Sequence, residues 1–251
     1  MIDTLLSPAE LPLLASRDLS RTVCVVFDIL RATSTFVTAL QNGAKEIVPV
    51  SEIEEAIARR QADPAVLLAG ERNGMKIRAG QAGGIDFDLG NSPREFRAEI
   101  VRGRSIVSTT TNGTRALRAC AAAQQVLAAA LLNLAATAKY LNRSQPADIL
   151  LICAGTGEGT ALEDILAAGA LAGLLAGQYT DATEVAARTF LSAKADLPAV
   201  IASSQNARRL LDIPDLRADV AFCAQRDIYK IVACLEADGT LRAAPAQGPP
   251  A

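Results

Sequence analysis

The chain has 251 residues, 50% of them apolar, and its 25 basic and 27 acidic side chains leave a formal charge of −2. That length suits one large α/β domain or two small ones, and so even a balance argues against a general nucleic-acid binder. No apolar run reaches the roughly 18–20 residues of a membrane span, and the N-terminus lacks the basic start and apolar core of a secretion signal, so a cytoplasmic protein is expected.

The first clear strand pattern is "TVCVVF" (22–27), followed by "DILRATST" and a helix near 34–42. "EIVPV" (46–50) precedes the helix "SEIEEAIARRQ", where Ser51 and Glu54 have capping-box spacing. "AVLLA" (65–69) runs into "GERNG", and "SIVS" runs into "TTTNGTRAL". "QVLAAAL" (125–131) leads to the helix "NLAATAKYL", and "DILLICA" (148–154) leads to "GTGEGTALED" and a long Ala/Leu helix. Alternating strands and helices imply a largely parallel sheet covered on both faces. Residues 161–212 read as helical, "DVAFCA" (219–224) and "IYKIVAC" (228–234) as late strands. Residues 1–243 read as one domain, at most two closely packed lobes, and 244–251 are expected to be a flexible Pro/Gly/Ala tail.

The chain has no histidine, which removes Ser-His-Asp and Cys-His catalysis and most zinc sites. Its 5 cysteines show no CxxC spacing and read as reduced, buried fillers. Carboxylates, Lys/Arg, hydroxyls, backbone N–H groups and a hard metal ion remain. Ligands of parallel α/β sheets gather beyond the carboxyl ends of the strands, and the unusual polar residues fall there. Asp28 and Arg31 follow one strand, and Glu71, Arg72 and Asn73 another. Thr109 to Thr114 and Gly155 to Asp164 follow two more.

Each has an ordinary structural explanation. Asp28 can cap a turn, Arg31 can pair with it, and Glu71 and Arg72 can be an exposed ion pair. The threonine loop can cap a helix or hold an anion at its free N–H groups; alone it does not decide. Glu163 and Asp164 suit a helix first turn through the dipole. In "GNSPREF", capping explains Ser92, with Pro93 and Glu95, but not Asn91 or Asp88. Taken together, carboxylates without His or paired Cys suit a hard cation, with Mg²⁺ the first candidate. Arginines with hydroxyl-rich helix starts suit a phosphate. The set points to phosphoryl-ester chemistry. "GTGEGT" lacks the second strand and ribose-binding acid of a dinucleotide site. No P-loop or cysteine-phosphatase loop is present, and Leu30 stands where an Asp-x-Asp pair needs its second acid.

The motifs "VVFDILRATST", "GERNGMKI", "FDLGNSPREF", "STTTNGTRAL" and "CAGTGEGTALED", in that order, resemble the 2-phosphosulfolactate phosphatases. The resemblance runs from about residue 22 to 170, and more loosely to 240. It implies a three-layer α/β/α fold and Mg²⁺-dependent hydrolysis of a phosphate ester on a small, anionic 2-hydroxy acid, an activity associated with coenzyme M synthesis. On this reading Asp28, Arg31, Glu71 and Asp164 are the candidate catalytic residues. Asp28, Glu71, Glu163 and Asp164 are the candidate metal ligands. Arg31, Arg72, Asn73, Asn91, Thr110, Thr111, Asn112 and Gly113 are the candidate substrate-binding residues, the threonine loop serving as both cap and cradle. Either an aspartate or a metal-activated water can serve as nucleophile. The alternative class is a non-catalytic protein that binds an anionic metabolite or nucleotide at the same strand ends. The Ala/Leu-rich helix surface allows a homodimer, and no sequence feature specifies an interface.

Overall fold

Residues 1–245 are described by a computed structural model of the protein. The first half of the chain forms β1 (Ile2–Leu5), β2 (Thr22–Phe27), α1 (Ala32–Gln41), β3 (Glu46–Val50), α2 (Ile53–Ala62), β4 (Leu67–Arg72), β5 (Met75–Lys76), α3 (Ala98–Val101) and β6 (Ser105–Thr109). Then come α4 (Gly113–Ala119), β7 (Gln125–Ala129), α5 (Leu134–Ser144), β8 (Asp148–Cys153), α6 (Leu162–Ala172) and α7 (Asp181–Ala193). Three short helices follow, α8 (Leu197–Ala202), α9 (Gln205–Leu211) and α10 (Arg217–Cys223), and the chain ends in β9 (Ile231–Leu235) and β10 (Leu241–Pro245).

The strands make one sheet in the order β1-β8-β2-β7-β9-β10-β3-β6-β4-β5. β1-β8-β2-β7 is parallel, and so is β3-β6-β4. The antiparallel hairpin β9–β10 joins the two parts, pairing with β7 on one side and β3 on the other. Helices cover both faces, giving the expected three-layer α/β/α arrangement. Every residue of β2 is buried, which is why its apolar run shows no alternation. A smaller apolar cluster, including Val50, Leu68, Phe87 and Val107, lies on the β3-β6-β4 part, apart from the main core. α6 and α7 pack at backbone contact, since a Cβ on Gly169 would lie 2.0 Å from the Ala186 carbonyl oxygen.

Several local expectations are corrected. Residues 219–224 are not a strand but belong to the end of α10 and its cap. Asp219, Val220, Cys223 and Ala224 are buried at helical spacing, and a short apolar run does not distinguish a strand from a buried helix. The Ser51 capping box does not form. α2 starts at Ile53 without a side-chain cap, and the Ser51 N–H donates to Glu55 Oε2 at 3.3 Å. β1, whose pattern is short and irregular, pairs in parallel with β8. Of the tail expected from residue 244, Ala244 and Pro245 complete β10, and 246–251 lie outside the described residues. All 5 cysteines are buried and free.

Candidate active site

The carboxyl ends of β2, β4, β6 and β8 surround a cavity of about 330 Å³, and α9 closes one side of it. Its wall includes Asp28 and Arg31 from the β2–α1 loop, Glu71 and Asn73 near the end of β4, Thr110 to Asn112 after β6, and Gly155 to Gly157 after β8.

Asp28 is buried, and its Oδ1 accepts the Ala32 N–H at 3.0 Å. Its Oδ2 lies against the start of α4, where a Cβ on Gly113 would stand 2.7 Å from that oxygen and 2.5 Å from the Ala32 Cβ. Close approach, not an unusual backbone angle, is therefore what requires glycine at 113. Gly113→Ala is expected to lower unfolding free energy by about 1–3 kcal/mol through overpacking, measured by urea denaturation. Burial pushes the Asp28 carboxyl up to about 7, with Glu71 and Glu163 adding to the rise, while the Ala32 N–H and Arg31 oppose it.

Asp164 ties two strand ends together. Its Oδ1 accepts the Ile29 N–H at 2.8 Å and its Oδ2 the Gly155 N–H at 3.0 Å. Burial, then the charges of Asp28 and Glu163, hold its carboxyl well above the usual range. Beside it, Glu163 is 1% exposed. Its Oε1 accepts from Asn206 Nδ2 at 2.7 Å, whereas its Oε2 is buried with no partner. Such an oxygen is costly to leave unsatisfied.

Glu71 organises its neighbours. Its Oε1 accepts both the N–H and the hydroxyl of Thr111, at 2.9 and 2.8 Å, and its Oε2 accepts the Gly74 N–H at 2.6 Å. This corrects the cradle role expected for Thr111, whose donors are both engaged by Glu71. Thr110 Oγ1 accepts the Thr114 N–H at 3.2 Å, a capping bond. Asn112 Nδ2 donates to the carbonyls of Ala154 and Gly157 at 2.7 and 2.9 Å, fastening the threonine loop to the glycine loop after β8. Among the described residues, the N–H groups of Asn112 and Gly113 have no acceptor.

Arg31 pairs with Asp219 instead of Asp28. Nη1 donates to Asp219 Oδ2 at 2.7 Å and Nη2 to the Gly74 carbonyl at 2.6 Å. Asp219 also accepts from Ser92 Oγ at 2.6 Å, so Ser92 braces this pair and makes no side-chain cap. Arg72 does not line the cavity. Strand alternation turns it away from Glu71, and its Nη2 donates to Thr109 Oγ1 at 3.0 Å and the Ser51 carbonyl at 3.2 Å. Asn73, at φ 57°, and Asn91 both face the cavity. Asp88 is used elsewhere, in an ion pair with Arg60 and a bond from the Leu68 N–H at 2.7 Å.

Of the four expected metal ligands, Asp28 feels the charges of Glu71 and Glu163, and Asp164 those of Asp28 and Glu163. Among the described residues no group of three or more His, Cys, Asp and Glu is placed to hold an ion. Glu71 and Asp164 have both oxygens hydrogen-bonded, whereas among the described residues Asp28 Oδ2 and Glu163 Oε2 have no hydrogen bond. Sequence reasoning missed Asn206, Arg209, Leu210 and Asp219, which come from the late helices and lie beyond any strand-end pattern.

Ligands of open α/β sheets bind outside the carboxyl ends of the strands, and this polar cavity lies there, as in proteins that bind small metabolites. A family model described as 2-phosphosulpholactate phosphatase matches residues 9–238. A probable 2-phosphosulfolactate phosphatase of Thermotoga petrophila is 42% identical over 212 residues, covering 84% of this chain and 88% of the relative. Relatives of the same name from Caldanaerobacter subterraneus subsp. tengcongensis and Pseudothermotoga lettingae are 40% and 38% identical, covering 86% and 89% of this chain and 88% and 93% of their own lengths. The chain belongs to the 2-phosphosulfolactate phosphatase family, a family of phosphoric monoester hydrolases. Among the described residues no helix is long and apolar enough to cross a membrane.

Proposed function

We propose that the protein is a Mg²⁺-dependent phosphatase of a 2-phospho carboxylic acid, converting 2-phospho-3-sulfolactate and water to 3-sulfolactate and inorganic phosphate. Family membership supports the reaction. The observation that carries the metal is the buried, unpartnered Glu163 Oε2, whose charge is felt by Asp28 and Asp164. Mg²⁺ takes one or two protein carboxylates and fills its remaining positions with waters and substrate phosphate. Asp28 Oδ2 and Glu163 Oε2 fit that demand and would hold the ion. When bound, the ion neutralises charge on the phosphoryl oxygens.

The chain's own groups do the rest. The N–H groups of Asn112 and Gly113 offer donors to an oxyanion at the start of α4. Arg31, fixed by Asp219, presents its guanidinium to the same cavity. Glu71 and Asp164 fasten the loops through backbone N–H bonds, so the donors stay in place as charge shifts. Buried free cysteines suit a reducing compartment such as the cytoplasm.

Phosphate release from 2-phospho-3-sulfolactate is expected with Mg²⁺ and is expected to stop in EDTA. Equal rates in both would remove the metal, and no phosphate from this ester would overturn the reading.

A further inference from the structure

The cavity has two cations in its wall, Arg31 and Arg209. Their situations differ. Arg31 is 3% exposed and paired with Asp219, itself fully buried, so its charge is largely compensated before any ligand arrives. Arg209 is exposed and, among the described residues, its side chain has no carboxylate partner and no hydrogen bond.

α9 directs Arg209 toward the cavity. Ser204 Oγ caps the helix by accepting the Ala207 N–H at 3.2 Å. Asn206, in its first turn, is anchored to Thr156 Oγ1 at 2.5 Å and Glu163 Oε1 at 2.7 Å. Arg209 lies three residues further on and so shares that face. Its neighbour Arg208 turns elsewhere, to the Ser203 carbonyl. A basic residue late in a helix is favoured by the dipole, but that holds equally for Arg208 and does not account for the cavity-facing position of Arg209.

Charge supplies the ligand. The same wall carries Asp28 and Glu71, and a 2-phospho acid brings at least one anionic group besides its phosphate. The α4 N–H donors lie on the strand-end side of the cavity. On the α9 side, Arg209 is the uncompensated full charge. We infer that Arg209 receives the acid group of the substrate that is remote from phosphorus, a carboxylate or a sulfonate, and so sets selectivity for acid-bearing phosphate esters. This rests on the phosphatase reading above.

The test compares the parent protein, Arg209→Gln and Arg209→Lys in Mg²⁺. Two esters are used, 2-phospho-3-sulfolactate and 2-phospholactate, with inorganic phosphate as a competing inhibitor. Loss of a contact made equally in ground and transition states raises KM and spares kcat. Arg209→Gln is therefore expected to raise KM for 2-phospho-3-sulfolactate about tenfold or more, with kcat within about threefold. The phosphate inhibition constant should move far less than KM. Arg209→Lys should recover part of the loss, keeping charge without the planar fork. A loss on both esters identifies the carboxylate, and a loss confined to the sulfonated ester identifies the sulfonate. KM values within about twofold of the parent on both esters would overturn the assignment. So would a parallel rise in the phosphate constant, which would put Arg209 on the phosphate instead. Failure of the parent protein to release phosphate from either ester is a separate outcome, and would overturn the phosphatase reading together with this one.

Discussion

Asp28→Asn is expected to lower kcat by about 100-fold or more and, in EDTA at alkaline pH, to raise the melting temperature. Both effects come from one oxygen. Asp28 lines the cavity, its Oδ2 lies at the start of α4 against Gly113, and Asn offers there neither a charge nor a comparable ligand. The Oδ1 of Asn can still accept the Ala32 N–H that Asp28 accepts at 3.0 Å, so the turn into α1 survives. The stability change has a definite sign. Burial first, then Glu71 and Glu163, raise the Asp28 carboxyl from 3.8 to about 7. The folded protein thus binds this proton more tightly than the unfolded chain does. The resulting stabilisation is fully present below about pH 4 and is lost as pH rises through about 7. Metal-free parent protein should therefore melt lower at about pH 8 than at about pH 5, and Asp28→Asn should flatten that slope. Asp164, also raised by burial and by its acidic neighbours, leaves a residual slope. Calorimetric scans across that range in EDTA give the comparison. Parallel slopes for the two proteins would show that Asp28 is not the titrating group.

Positions near strand ends were legible in the sequence; side-chain directions were not. Asp28, Glu71 and the threonine loop stand out as polar residues directly after apolar runs, and the sheet brings them to one cavity. Adjacent residues of a strand face opposite ways. Glu71 and Arg72 therefore read alike in sequence, yet β4 sends Glu71 to the cavity and Arg72 to Ser51 and Thr109. Nor does local sequence show which acids brace the loops. Glu71 and Asp164 are acids in the right place whose oxygens are taken by backbone N–H groups. Asp219 illustrates the largest gap. It lies 188 positions from Arg31, in a segment that reads as a strand, and no periodicity connects the two. Only the path of the late helices back over the strand ends makes them partners.

That partnership should be the most costly one to break. Arg31 and Asp219 are 3% and 0% exposed and meet at 2.7 Å. Removing one member of a buried pair leaves the other charged and poorly solvated, at a cost of about 3–5 kcal/mol. Asp219→Ala is expected to lose stability on that scale, and Ser92 Oγ loses its acceptor as well. Asp219 does not line the cavity, so its effect on catalysis is expected to pass through Arg31, for which it is a positioning residue. Arg31→Lys separates geometry from charge. The guanidinium reaches Asp219 with Nη1 and the Gly74 carbonyl with Nη2, and a single ammonium cannot reproduce that planar fork. Arg31→Lys should therefore cut kcat/KM about tenfold or more, roughly 1.4 kcal/mol of transition-state stabilisation, while costing less stability than Asp219→Ala. Asp219→Asn can keep an acceptor for Nη1 but removes the charge, and should fall between the two in stability. In the double variant Arg31→Lys with Asp219→Asn, the losses in kcat/KM should be less than additive, because both changes disturb the same guanidinium. Urea unfolding and steady-state kinetics on the four proteins and the double variant decide the matter. Additive kinetic losses would mean that Asp219 acts on the site by some route other than Arg31. Stability of Asp219→Ala within about 1 kcal/mol of the parent would mean that the buried pair contributes little to holding the late helices over the strand ends.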